Sequence, residues 1–269
     1  MEATHRYMNY LISENPIYTD EGKKIEVFHL DIQDDPEIFE EWAKQFRRNY
    51  CSDDELQEMT NEINISSNEY LKNYKLPSDS RIGLSTMSGD FGEILVSDYL
   101  QYFEEYAVPR TRYDSKVNKD TSTQGSDVLG YKKGDMTPQN DEIIVIEVKS
   151  SASIGSSLTN KQRLQVAIND SDKDFERFST SVVASYLKLI KDNSDQADIV
   201  KRFLNITDHP FNVIYGAVAV HSNQSYDIEV IKNAVTQHHR AKENLRLLVI
   251  HSDELMDFIK KLYLKASEV

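Results

Sequence analysis

An α/β architecture, a mixed central sheet flanked by helices, is what this 269-residue sequence predicts. Three observations carry it. Apolar runs of buried-strand type (IIVIEV at 143–148, FNVIYGAVAV at 211–220, LRLLVI at 245–250) alternate with segments of helical periodicity. From Leu84 onward the order reads helix, strand, strand, helix, strand, helix, strand, helix, the pattern of a sheet covered by helices. Hydrophobic residues make up 39% of the chain, enough for one large core or two small ones.

In chain order, Lys23–Ile32 (KKIEVFHLDI) reads as a strand. Asp34–Tyr50 reads as a helix, with Asp34 or Asp35 as N-cap and Pro36 in its first turn. Ser52–Ile65 opens with a capping serine and reads as a second helix. Leu76–Gly83 is a loop and a boundary. Residues 1–80 are therefore expected to form an N-terminal α+β segment facing a partner, and 81–269 the main domain. The acidic stretch DDPEIFEEW in the first segment is expected to be a solvated face.

The main domain opens with a helix over Leu84–Tyr106, closed by Pro109. Leu84, Met87, Phe91, Ile94, Leu95, Tyr99 and Tyr102 recur at helical spacing and predict one apolar stripe. Ser126–Tyr131 is a short strand, 132–141 a turn-rich connection, EIIVIEVKS a second strand, and SSASIGSS a loop. A helix runs from Leu158 to about Lys191, with a break near Asp170. Strands follow at Phe211–Val220 and Leu245–Ser252, then a terminal helix over Ser252–Ala266 with Ser252 as N-cap.

Composition narrows the function. No apolar run approaches the ~20 residues that span a bilayer, and the start of the chain lacks the pattern of a secretory leader. The single cysteine, Cys51, leaves no internal disulfide and no cysteine zinc cluster. These point to a cytoplasmic protein with no membrane partner. The formal charge is −14, which argues against a strong intrinsic grip on nucleic acid. Charge is unevenly distributed, however. Between Tyr106 and Gln165 nine Lys or Arg outnumber seven Asp or Glu, so a polyanion site belongs in that middle segment. No GxxxxGK[ST] stretch predicts nucleotide hydrolysis. The QHHR run at 237–240 lacks metal-ligand spacing and reads as surface.

The chemistry concentrates at IIVIEVKSSAS. Strand side chains alternate, so Ile144, Ile146 and Val148 share one face while Ile143, Val145, Glu147 and Lys149 share the other. Two opposite charges thus sit at the end of a strand that is otherwise apolar on both faces, and desolvating them is costly unless they are paired or bound. Asp127, in the preceding strand, is spaced to stand at the same sheet end. Glu93 lies in the helix before it, beside Gly89 and Gly92, which lower helix stability by roughly 1 kcal/mol each and let the backbone approach a neighbour. Asp127, Glu147 and the Val148 carbonyl make an oxygen-rich site for Mg²⁺ or Mn²⁺. Glu93 completes its shell, and Lys149 serves an attacking water. Lys161, Gln162 and Gln165, on the helix after the strand, are candidates for DNA contact. Arg110, Arg112, Lys116, Lys119, Lys132 and Lys133 are candidates to line a channel, though each alone reads as a solubilising charge.

A helix-borne Glu, then Asp, then Glu-x-Lys at a strand end resembles the PD-(D/E)XK nuclease superfamily, over about Leu84 to Arg177. Ser126 stands where that family often has Pro. The longer pattern SGDFGEIL, GSDVLGY, IEVKSSAS is similar to the nuclease (HamA-like) subunit of Hachiman antiphage systems. That resemblance implies a PD-(D/E)XK nuclease-like core and Mg²⁺-dependent DNA cleavage as a defence effector. It also implies restraint by a separate superfamily 2 helicase, and it carries catalytic roles to Asp127, Glu147 and Lys149. Two alternatives stay open: a catalytically inactive interaction module on this scaffold, and a stand-alone restriction or repair nuclease.

Overall fold

The structure, a computed structural model, describes residues 5–114, 116–134, 140–152 and 157–269. Parts of the connection at 132–141 and of the serine-rich loop lie outside the described residues, Ser153 among them. After a 3₁₀ turn at Arg6–Tyr10 come β1 (Leu11–Ser13), β2 (Ile17–Tyr18) and β3 (Lys24–Leu30). Then follow α1 (Pro36–Arg48), α2 (Asp53–Ile63), α3 (Ser67–Tyr70) with a π turn at Leu71–Lys75, and α4 (Arg81–Tyr102). β4 (Val128–Lys132) and β5 (Glu142–Ser151) lead to α5 (Leu158–Lys161), α6 (Arg163–Ser171), α7 (Asp174–Lys191) and α8 (Gln196–Lys201). β6 (Asn212–Ser222), α9 (Ile228–Lys232), β7 (Leu245–Ser252) and α10 (Leu255–Ala266) close the chain.

One seven-stranded sheet has the order β1-β3-β7-β6-β5-β4, with β2 also on β3. The central pairs β3·β7, β7·β6 and β6·β5 are parallel, and the outer pairs β1·β3, β2·β3 and β5·β4 are antiparallel. Helices cover both faces. Ile144, Ile146, Val148, Val218 and Ile250 face a core shared with α1, α4 and α10, while Ile143, Val145, Ala217 and Val249 face α6, α7 and α8. The predicted mixed α/β fold and the predicted alternation of β5 are both observed. No helix among the described residues is long and apolar enough to cross a membrane.

The segment before residue 81 builds into this same sheet and core. Trp42 and Phe46 of α1 pack on Phe91 of α4 and on Phe258 and Tyr263 of α10. Its caps are as read: Asp35 accepts from the Glu37 and Ile38 amides, and Ser52 from the Glu55 amide.

Three expectations need correction. The helix predicted over 84–106 begins at Arg81, capped by Ser80, and ends at Tyr102. It does not show a single apolar stripe: every residue from Asp90 to Leu100 is buried, because the sheet covers one side and α1 with α10 the other. Ser252 does not cap α10. It is the last residue of β7, and its hydroxyl donates to the Leu30 carbonyl at 2.7 Å, so Glu254 stands at the helix start instead. In QHHR, His239 is buried and its Nε2 lies 3.0 Å from the Ser171 hydroxyl, while Arg240 lies over the Phe175 ring. The surface reading therefore fails at His239 alone, while Gln237, His238 and Arg240 are exposed.

Of the two glycines just before Glu93, Gly92 alone makes a close approach. A Cβ there would meet Val148 Cγ1 at 3.3 Å and Ser150 Cβ at 3.4 Å, whereas one at Gly89 meets nothing within 4 Å. Gly92→Val is therefore expected to lower stability by about 1–3 kcal/mol by pushing α4 off β5, and Gly89→Ala to raise it by up to about 1 kcal/mol. Thermal melts of the two variants check the opposite signs.

Candidate active site

β5 lies between β6 and the edge strand β4, and its charged end projects past the start of β4. The register pairs Val128 with Ile146, so Asp127, one residue earlier, stands across from Glu147. Asp127 Oδ2 accepts from the Val148 amide at 2.9 Å. The N–H and C=O of one strand residue point to the same lateral side, so the Val148 carbonyl faces this edge too. Glu147 is 3% exposed. Its Oε1 accepts from the Lys149 ammonium and its Oε2 from Arg177 Nη2 at 2.5 Å. Lys149 also meets Asp170 at 3.1 Å.

Glu93 arrives from α4. Its Oε2 accepts from the Tyr113 hydroxyl at 2.7 Å and lies 3.2 Å from Arg112 Nη2. The same guanidinium nitrogen is 3.4 Å from Asp127 Oδ1, so Arg112 bridges the two carboxylates. Burial, then the charges of Glu93 and Glu147, push the Asp127 carboxyl well above the usual carboxylate range. Burial alone would lower Lys149, but its hydrogen bond to Glu147 and that residue's charge raise it. A cleft of about 860 Å³ opens beside Asp127, between the 108–129 segment and α7.

A family model described as HamA matches residues 5–266, nearly the whole chain. The chain belongs to the HamA family. No curated protein matches it significantly.

Membership in the HamA family ties the chain to Hachiman antiphage defence. Against that background the donor set is informative. Its atoms are all oxygen, donors of the kind that Mg²⁺ or Mn²⁺ prefer, and the raised proton affinity of Asp127 comes first from burial and then from the charges of Glu93 and Glu147, against the pull of Arg112. No three His, Cys, Asp or Glu side chains among the described residues converge closely enough to hold a metal ion. Asp127 and Glu147 stand opposite each other on paired strands, Glu147 is engaged by Lys149 and Arg177, and Glu93 by Arg112 and Tyr113.

The residues read as DNA contacts are placed variously. Lys161 pairs with Asp227 at 2.8 Å. Gln165 is bound to the Val235 backbone, accepting from its amide at 2.7 Å and donating to its carbonyl at 3.2 Å. Gln162 is exposed at the junction of α5 and α6. Several basic residues of the middle segment serve internal partners instead: Arg110 meets buried Asp98 at 2.7 Å, Lys116 meets buried Asp90, Lys119 caps the Lys72 carbonyl, and Lys132 donates to the Glu104 carbonyl at 3.1 Å.

Sequence reasoning did not find Tyr113, Asp174 or Arg177, and named Arg112 only among the basic residues that could line a channel. Asp174 is fully buried. It accepts from Arg177 Nε and from the Ser126 hydroxyl, each at 2.7 Å. An Asp and an Arg one helical turn apart are a weak local signal. The reach of Arg177 to Glu147 has no sequence signature, because it depends on how α7 crosses β5.

Proposed function

We propose that this chain is a Mg²⁺- or Mn²⁺-dependent deoxyribonuclease, the cytoplasmic effector subunit of an antiphage complex restrained by a partner superfamily 2 helicase. The observation that carries the reading is the pair Asp127 and Glu147 facing each other across β4 and β5, with Lys149 on Glu147 and a cleft alongside. The HamA family supports the defence setting. Asp127, Glu147 and the Val148 carbonyl would hold the cation, with Glu93 completing its shell directly or through water. The cation would supply a more acidic bound water and neutralise charge at the phosphate. Lys149, held between Glu147 and Asp170, orients the attacking water and stabilises the charge that develops on the phosphoryl oxygens. The formal charge of −14 fits a division of labour in which the partner supplies most of the DNA grip.

A second reading, an inactive nuclease-like interaction module, is favoured by one observation: the site carboxylates are already neutralised by Arg112, Lys149 and Arg177. Supercoiled plasmid separates the readings. Incubated with the chain and its co-purifying partner, it is expected to be nicked and degraded in Mg²⁺ or Mn²⁺ and to stay intact in EDTA. Plasmid that survives every metal and partner condition leaves only the interaction module. Cutting that is indifferent to the helicase would point to a stand-alone nuclease.

A further inference from the structure

We propose that Arg177, aimed by Asp174 and met by Arg112 across the same cleft, is the group that grips the DNA backbone beside the bond being cut. The inference rests on the nuclease reading and names that site's substrate contact.

The cations lining the cleft fall into two classes. Arg110, Lys116 and Lys188 pair with Asp98, Asp90 and Asp114, carboxylates outside the proposed metal set. Among the described lining cations, only Arg112 and Arg177 pair with the set itself, Arg112 on Glu93 and Asp127, Arg177 on Glu147. A divalent cation binding those oxygens competes directly with both guanidinium groups. Each displaced fork stays at the wall of the cleft, where a phosphodiester would lie.

Arg177 is built for that exchange. Its Nε stays tied to Asp174 at 2.7 Å while the Nη2 end reaches Glu147, so loss of the Glu147 contact leaves the fork anchored. Asp174 is itself held by the Ser126 hydroxyl, next in sequence to Asp127, which links the aim of Arg177 to the position of the carboxylate. Unused donors line the cleft as well: Arg112 Nε and Thr123 Oγ1 are buried without a partner. A ligand rich in acceptor oxygens satisfies them, and a planar fork matches a phosphate in two-point contact.

The test is fluorescence anisotropy of a labelled DNA duplex with the full chain in Ca²⁺, titrated at several salt concentrations. Arg177→Gln is expected to weaken binding by about tenfold, the worth of one charge-assisted hydrogen bond. It is also expected to flatten the slope of log K against log salt by about 0.9, one phosphate fewer. Arg177→Lys should restore the slope and only part of the affinity, because an ammonium is a point charge. Melting temperatures close to wild type in both variants exclude a folding cause. An Arg177→Gln protein with wild-type affinity and slope overturns the assignment while leaving the nuclease reading in place. Wild-type protein that neither binds nor cuts DNA, alone and with its co-purifying partner, defeats both.

Discussion

Glu147→Gln is expected to reduce DNA cleavage by about 10²–10⁴-fold while the protein still folds, and Lys149→Ala to do the same. The reasoning separates chemistry from packing. The amide preserves the volume of Glu147 at a 3% exposed position, so no cavity forms in the core under α6 and α7. The two cations that lose a partner each keep another carboxylate, Asp170 for Lys149 and Asp174 for Arg177. Both also reach solvent, with side chains 25% and 34% exposed, so neither is left as an isolated buried charge. What disappears is one of the two facing carboxylates, and with it the means of holding a divalent cation against Asp127. Circular dichroism melts together with plasmid conversion read the two effects separately. A double variant, Glu147→Gln with Lys149→Ala, that still degrades plasmid in Mg²⁺ would defeat the assignment.

Lys116→Met is expected to destabilise the protein by about 3–5 kcal/mol. That corresponds to a fall of roughly 10 °C or more in melting temperature. Lys116 and Asp90 have side chains 4% and 3% exposed, and they form an ion pair inside the 1–80 and α4 interface. Asp90 also accepts from the Tyr50 hydroxyl at 2.8 Å, and Tyr50 meets the Tyr263 hydroxyl at 2.5 Å, so α1, α4, α10 and the 108–127 segment meet at this point. Removing the ammonium leaves a buried carboxylate with only neutral donors.

The pH dependence of that variant is set by Asp90. Burial raises its carboxyl to about 6, against the pull of Lys116. A folded-state value above the unfolded one means that the folded protein holds the proton more tightly. The contribution of this group to stability is therefore fully present below about pH 4 and is lost as pH rises through about 6. Without Lys116 the charged form is penalised further, so the deficit against wild type is largest near pH 7.5 and shrinks toward pH 5. Urea unfolding midpoints at the two values measure it. A deficit of equal size at both would mean that Asp90 is not the origin.

Much of the architecture was legible from local chemistry. β3, β5, β6 and β7 declare themselves as apolar runs, and Asp35 and Ser52 cap their helices as capping residues should. The break near Asp170 is observed as the gap between α6 and α7, and a further interruption occurs at Gln162. The short elements α3, α8 and α9 carry too few residues to express a period. The misreading of Ser252 has a clear cause. A serine before an acidic run looks like a cap in isolation, yet its hydroxyl is claimed by a carbonyl on β3, more than two hundred positions away.

By itself the sequence determined the alternating faces of β5, the placing of Glu147 and Lys149 on one of them, and the spacing that brings Asp127 opposite. Those follow from strand periodicity and a short connection, both local properties of the chain. Only the tertiary structure decided which cations answer those carboxylates. Arg112 from a loop and Arg177 from α7 reach Glu93, Asp127 and Glu147, while Lys116 and Arg110 turn inward to buried Asp90 and Asp98. The physical reason is that charge pairing is a long-range choice. A cation goes to the carboxylate whose desolvation most needs relief, and burial depends on how whole layers pack rather than on neighbours in sequence.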